Sequence, residues 1–476
     1  MGQEIANVEF QAEHFDRFQD HLASEMELLR RWFAEEKFAS DNLQCGLELE
    51  GWLIAADGGP VPDNSLFLAT LDRKSVVPEL SKFNFELNVQ PQYVAGFGLR
   101  DMQNELQATW DRCAQVAQRL DHRIVSVGIL PTIEDSMLCV KNMSNMQRYA
   151  ALNSQVLRLR EGRPLCLQIE GTDQLRSTHA DVMLESAATS IQVHLKVPPA
   201  AAARYYNASV IASALTVALA ANAPLLFGKR LWDDTRITVF EQAVDTGGPR
   251  PRVTFGEQYV QNSLLELFEQ NFSNHRVLLP SEMEEPPSKL PYVRMHNGTL
   301  WNWNRALIGF ESDGRPHLRI EHRPMSASPS ILDLFSDMMF YLGITHALAN
   351  QSPAPESLLD FSQAKANFYD AARAGFSASI QWIDGNYWNV AELISSRLLP
   401  TALQALSDLR VDAASIALCQ ATLIGRLDTR QNGAAWQREQ FARLNADLHQ
   451  LLLGYVERQA TGSPVHTWTA MDSIHP

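Results

Sequence analysis

Cysteine is scarce in this chain. Five residues (Cys45, Cys113, Cys139, Cys166 and Cys419) are spread across 476 positions without a single Cys-x-x-Cys pair. An odd number at such spacing excludes a disulfide framework and a thiolate zinc site, and fits free thiols in a reducing compartment. Basic charge is also short, at 40 Lys and Arg against 55 Asp and Glu for a formal charge of −15. A nucleic-acid backbone binder needs the opposite balance, so no nucleic-acid partner is expected. The first residues carry Glu4, Glu9, Glu13 and Asp16 and lack the basic start and apolar run of a secretory leader. A cytoplasmic location is the expectation. Val210 to Gly228 runs without a charge, close to membrane-spanning length. It is Ala-rich, contains Ser213, Thr216, Asn222 and Pro224, and stands alone. It reads as a buried core helix ending near Pro224, with no membrane partner. Gly-x-x-x-x-Gly-Lys-Ser/Thr, Gly-x-Ser-x-Gly and His-Glu-x-x-His are absent, as are internal repeats and low-complexity runs. Walker-type nucleotide binding, serine hydrolysis and zincin chemistry are thereby excluded. Gly96-Phe-Gly98 lacks the third glycine of a dinucleotide fingerprint.

What remains is an ordinary globular composition, 45% apolar and 20% charged, and four stretches that alternate with the period of a strand. In Pro316–Pro324, Leu318 and Ile320 face one way while Arg319, Glu321 and Arg323 face the other. Cys45–Ile54 sets Cys45, Leu47 and Leu49 against Glu48 and Glu50. Lys82–Pro91 sets Phe83, Phe85, Leu87 and Val89 against Asn84, Glu86 and Asn88, with Pro91 expected to end the strand. Ser190–Val197 sets Ile191, Val193, Leu195 and Val197 against Gln192, His194 and Lys196. Asp313-Gly314 predicts a hairpin that brings Arg305 beside or near Arg319.

Two carboxylates on one strand face repel unless a cation or water separates them, and an exposed acidic strand would satisfy that as well. An isolated strand histidine is more often structural than a ligand. Pooled, however, the polar faces hold Glu48, Glu50, Glu86 and Glu321 beside Arg319 and Arg323, with Arg305 and Arg236 as further candidates. Carboxylate clusters suit hard cations such as Mg²⁺ or Mn²⁺. Neighbouring arginines suit phosphoryl and carboxylate oxygens. The combination points to magnesium-nucleotide chemistry on a sheet.

Helical periodicity covers Phe10–Glu36, Leu99–Leu120 and Met143–Leu159, a strand pattern covers Arg123–Leu130, and helices are expected from Pro329 to about Gln459, broken near Pro353–Pro355, Gly385 and Pro400. The domain reading is an N-terminal helix (1–40), a catalytic domain (41–342), a helical C-terminal region (343–460) and a loose tail (461–476).

Gly46-Leu-Glu-Leu-Glu50, Glu86-Leu87 with Pro91, Gln192-Val-His194, Ala221-Asn-Ala-Pro224, Thr235-Arg236, His296 to Arg305 and Arg319-Ile-Glu-His-Arg323 stand in the order seen in glutamate–cysteine ligases. More distantly, the order resembles that of glutamine synthetases. The resemblance spans about residues 44 to 342. It implies an α+β fold built on a curved antiparallel sheet of glutamine synthetase type, with surrounding helices. It also implies an ATP-dependent ligase that forms a γ-glutamyl amide through an acyl phosphate, as in the first step of glutathione biosynthesis. By position, Glu48, Glu50, Glu79, Glu86 and Glu321 resemble the metal ligands. Arg319 and Arg323 resemble the catalytic arginines on the transferring phosphoryl group, and Arg305 a phosphate contact. Arg236, with Gln192 and His194, resembles the substrate-binding set. ATP and Mg²⁺ (or Mn²⁺) are the implied cofactors, and a glutamate-like acid and an amino acid amine the small-molecule substrates. Gln192 stands where relatives often carry a metal-binding histidine, and Gln90 replaces the Thr common before the proline. A ligase of this fold using another acid or amine, a guanidino-type phosphotransferase and a non-catalytic nucleotide-binding relative are the alternatives.

Overall fold

Bulky residues on alternate positions bury one side of each strand, and this single preference builds the central sheet. The computed structural model describes residues 4–5, 8–40 and 42–471. Seven strands form the sheet: β1 (Gln44–Ile54), β2 (Val76–Pro78), β3 (Asn84–Tyr93), β4 (Arg123–Val125), β5 (Ile191–Val197), β6 (Asn304–Phe310) and β7 (Pro316–His322). Their order is β6-β7-β5-β1-β3-β2, with β4 pairing the far end of β1. The pairings are all antiparallel, and the sheet curves in the manner expected from the sequence.

The helices named below are α1 (Ala12–Ala34), α2 (Gly98–Arg119), α3 (Gln147–Leu159), α4 (Ala202–Ala220), α5 (Arg236–Ala243), α6 (Ile331–Asn350) and α7 (Ala413–Thr429). Cys45, Leu47, Leu49, Leu87, Val193, Leu195, Leu318 and Ile320 share one core with α4 and α6. Every residue of α4 from Tyr205 to Ala220 is buried. A helix apolar all round needs such a place. It stops short of Pro224. Among the described residues, the helix long and apolar enough to cross a membrane is instead α6, and 83% of that stretch is buried inside the protein.

Several expectations need correction. Pro91 does not end its strand, because β3 continues to Tyr93. The register slips between Cys45 and Leu47, so that Gln90 and Pro91 together oppose Gly46. A bulge has no ladder bond for the missing N–H to break, which is where a strand proline is tolerated. The strand predicted over Arg123–Leu130 covers only Arg123–Val125, since its hydrogen-bonded partners on β1 end at Trp52. The break expected near Gly385 is present, and a hairpin of two short paired strands, Ser379–Gln381 and Tyr387–Asn389, fills it. Near Pro400 the helix widens into a π turn at Ile394–Leu398, a wider turn that accommodates a ring that would clash with the carbonyl four residues back.

The predicted boundary at 342/343 falls inside α6, and Arg426 of α7 pairs with Asp333 and Asp337 of that helix. The C-terminal helices therefore buttress the catalytic core. Residues 472–476 of the expected loose tail lie outside the described residues. Up to Met471 the segment is docked, with Trp468 packed edge-on against Trp436 and Tyr455 at centroid distances of 5.4 and 5.0 Å.

Candidate active site

The strand order sets the four polar faces side by side. Glu48 stands opposite Gln192, and Glu50 opposite Glu86. His194 stands between Gly46 and Glu321. Across the hairpin, Arg305 faces Glu321. Glu48, Glu50, Glu79, Glu86, Gln192, His194, Arg305, Arg319, Glu321 and Arg323 all line one cavity of about 830 Å³, a volume in the range of small-molecule sites.

Two groups of donors converge there. Glu48, His194 and Glu321 bring their ligating atoms within 4.8 Å of one another, and so do Glu50, Glu79 and Glu86. In the first group His194 Nε2 lies 3.1 Å from Glu48 Oε1 and 3.7 Å from Glu321 Oε1. Arg305 grips Glu321 from the other side through Nε (2.6 Å) and Nη2 (3.0 Å), and Arg323 Nη1 stands 3.4 Å from Glu321 Oε1. Burial would raise both carboxyls. For Glu48 the facing His194 outweighs it and holds the group at about 2. For Glu321, Arg305 and Arg323 do so, well below the carboxylate range.

The second group behaves oppositely. Burial, then repulsion from Glu79, pushes Glu50 up to about 8. Burial, then Glu48 and Glu79, pushes Glu86 well above its ordinary value. Glu79 is also raised by burial, against the pull of Arg148. Three buried carboxylates this close cannot all ionise without positive charge among them. That donor set, oxygen-only in one group and with one imidazole in the other, fits hard divalent cations.

Each of these groups is fixed from behind. Ser190 N (2.6 Å) and Gln192 Nε2 (3.0 Å) donate to the two oxygens of Glu50. Leu80 N donates to Glu79 and Asn88 Nδ2 to Glu86. Arg323 Nη1 donates to Gln192 Oε1, so Gln192 links the arginine to the second acid group. Arg319 reaches the cavity with its buried Nε free of a hydrogen-bond partner among the described residues. Arg236 is the exception. It does not line the cavity; its Nη2 donates to the backbone carbonyls of Arg323 and Pro324, and its guanidinium lies over the Trp303 ring at 5.4 Å.

Against known families, the model of glutamate-cysteine ligase family 2 matches residues 44–416. The chain belongs to this family. A search of curated proteins gives no match. Among solved structures, the glutamate–cysteine ligase of Francisella tularensis in complex with AMP is 10% identical, with a TM-score of 0.53 over 89% of this chain and 94% of its own. The bifunctional glutathione synthetase of Pasteurella multocida is 11% identical, with a TM-score of 0.57 over 94% of this chain and 55% of its own. These likenesses establish the fold, and membership of the family supports an ATP-dependent ligase joining a carboxylate and an amine.

The cavity of this family 2 ligase also contains residues that alternation did not reveal. Glu185 enters from the short helical turn Met183–Ala187. Arg148 and Tyr149 enter from α3, with Arg148 Nη2 donating to the Tyr149 hydroxyl at 2.7 Å. Lys289 and Arg294 flank Phe310 at the opposite end, 4.1 and 5.8 Å from its ring centroid. The charge-rich loop at 281–291 was a usable signal for Lys289; a lone acid in Met-Leu-Glu-Ser offered none.

Proposed function

We propose that this protein activates the side-chain carboxylate of a glutamate-like acid with ATP and joins it to an amine, with glutamate and cysteine as the leading pair. The observation that carries the reading is one sheet face on which two acid groups lie next to Arg305, Arg319 and Arg323. Phosphoryl transfer needs little covalent help from a protein; positioning and charge neutralisation supply the catalysis. Mg²⁺ or Mn²⁺ held by Glu48, His194 and Glu321 and by Glu50, Glu79 and Glu86 would supply further positive charge at the phosphoryl oxygens.

Arg319 and Arg323 hold the terminal phosphate while a carboxylate oxygen of the acid attacks phosphorus and ADP leaves. Arg305 has its guanidinium committed to Glu321, so it orients that acid and adds charge toward the phosphates. Arg236 supports the backbone that presents Arg323, and we assign it to positioning rather than to the acid's α-carboxylate. The apolar and cationic end around Phe310, Lys289 and Arg294 suits a nucleotide base with its phosphates. The amine then displaces phosphate from the acyl phosphate.

The test is direct. Protein, Mg²⁺, ATP and glutamate are incubated with a panel of amino acids, and phosphate release and product mass are followed. An amide of glutamate with ADP supports the reading. A phosphorylated acceptor without amide would make the protein a phosphotransferase, and ATP binding without turnover would make it a binding protein.

A further inference from the structure

We propose that Glu185 receives the ammonium group of the incoming amine. This assignment rests on the ligase reading and adds to it the residue that selects the second substrate. Each of the other acids lining the cavity has a protein partner. Glu48 has His194, Glu50 has Ser190 and Gln192, Glu79 has Leu80 N, and Glu86 has Asn88. Glu321 has Arg305, and Glu285 has Arg294. The side chain of Glu185 has no hydrogen bond or ion pair among the described residues, although the residue lines the same cavity.

The backbone that carries it is fixed. Met183, Leu184, Ser186 and Ala187 are buried around it. Met183 N donates to Asp181 Oδ1 at 3.0 Å, Ser186 Oγ to Met183 O at 2.7 Å, and Val182 N to Asn153 Oδ1 of α3 at 3.0 Å. A turn held this firmly presents its one uncommitted side chain in a set direction.

The missing partner is a cation. Glu185 belongs to neither of the two groups whose ligating atoms converge within 4.8 Å, and a lone carboxylate does not make a divalent site, which needs several oxygen donors. One carboxylate matches one ammonium. Burial, then Glu79 and Glu50, pushes the Glu185 carboxyl well above its ordinary value against the pull of Arg323, so it stands within electrostatic reach of the arginine assigned to the acyl phosphate. There the ammonium gives one proton to Glu185. The freed nitrogen lone pair forms the C–N bond as the acyl C–O bond breaks. Phosphate leaves with that electron pair and takes the second N–H proton.

Hydroxylamine separates this role from the chemistry before it. It is largely uncharged at neutral pH and attacks acyl phosphates to give hydroxamates, so it needs neither a carboxylate to bind it nor a base. In Glu185→Gln, hydroxamate formation from glutamate and ATP is expected within twofold of the wild type. Amide formation with the amino acids accepted by the wild type should fall at least tenfold, with a higher KM for the amine and unchanged KM for ATP and glutamate. Glu185→Asp should recover part of the loss. Parallel loss of hydroxamate and amide, or an increased Mg²⁺ requirement, would place Glu185 in the phosphoryl or metal chemistry and overturn the assignment, as would full amide formation by a folded Glu185→Gln. A wild-type protein making neither ADP nor hydroxamate would instead bring down the ligase reading, and this assignment with it.

Discussion

Glu321→Gln separates a metal-binding carboxylate from a merely salt-bridged one. Glu321 sits on the strand next to His194 and is gripped by Arg305 at 2.6 and 3.0 Å. Breaking a buried ion pair typically costs about 3–5 kcal/mol when it strands a charge. Here the cost should be smaller, about 1–3 kcal/mol, for two reasons. Gln keeps the volume and one acceptor oxygen. Arg305 also donates to the carbonyls of Gly298 and Leu300 at 3.3 Å, so it is not left without partners. The melting temperature should therefore drop by only a few degrees. Activity responds to a different quantity. The substitution removes a full negative charge from a group of only three donors and alters the field that Arg305 and Arg323 present to the phosphate. Losing one such preorganised electrostatic element costs about 10²–10³ in turnover, roughly 3–4 kcal/mol of barrier. ADP formation measured across a Mg²⁺ titration, beside a thermal melt, reads both effects. The variant should stay folded, lose at least a hundredfold in kcat and need more Mg²⁺. A kcat within tenfold of the wild type at an unchanged Mg²⁺ requirement would show that Glu321 serves only to hold Arg305. A double-mutant cycle with Arg305→Gln would then give coupled losses in turnover, the double variant being no worse than Arg305→Gln alone.

Metal binding should be proton-linked. Burial and Glu79 raise Glu50 to about 8, and Glu86 is raised as well, so near pH 7 the cation-free group retains protons that a divalent cation must displace. Affinity for Mg²⁺ or Mn²⁺ should rise from pH 6 to above pH 8 and then level off. Calorimetry in two buffers of different ionisation enthalpy should show proton release at pH 7, and buffer-independent heats would refute it. Far from the cavity, Arg426 pairs with Asp337 at 2.5 Å and Asp333 at 2.7 Å, with both carboxylates fully buried. Arg426→Ala strands two buried charges and should cost about 3–5 kcal/mol. A clear fall in melting temperature, with a higher Mg²⁺ requirement in the still-folded protein, is expected; an unaltered melt would mean that the pairing contributes nothing net.

Alternation made the sheet readable because a strand with one buried face must repeat every second residue, and four such strands revealed their polar faces directly. Their adjacency did not follow from alternation. It came from the order of the motifs, and the observed register then placed Glu50 across from Glu86 and His194 beside Glu321. Residues outside strands were harder to read, for a physical reason. Glu185 lies in a turn without a period, and Arg148 projects from a helix whose pattern records only its packing. Arg236 shows the converse failure. The resemblance implied an arginine offered to substrate, yet two backbone carbonyls capture it, and nothing in a sequence tells which acceptors lie within reach of a guanidinium.

The C-terminal helices follow from the same reasoning about what lies beneath a curved sheet. A sheet with charged residues on one face must have its other face covered by apolar surface, and α4 and α6 supply it with little polarity of their own. α6 carries Asp333 and Asp337 into that interior, where Arg426 answers both from α7 and Val465 N donates to Asp333 Oδ2 at 2.9 Å. The helices that alternation could only label as C-terminal thus hold the underside of the strands that carry Glu48, His194 and Glu321. Because the acid groups function only at fixed separations of a few ångströms, loosening that support should degrade metal binding before it unfolds the chain.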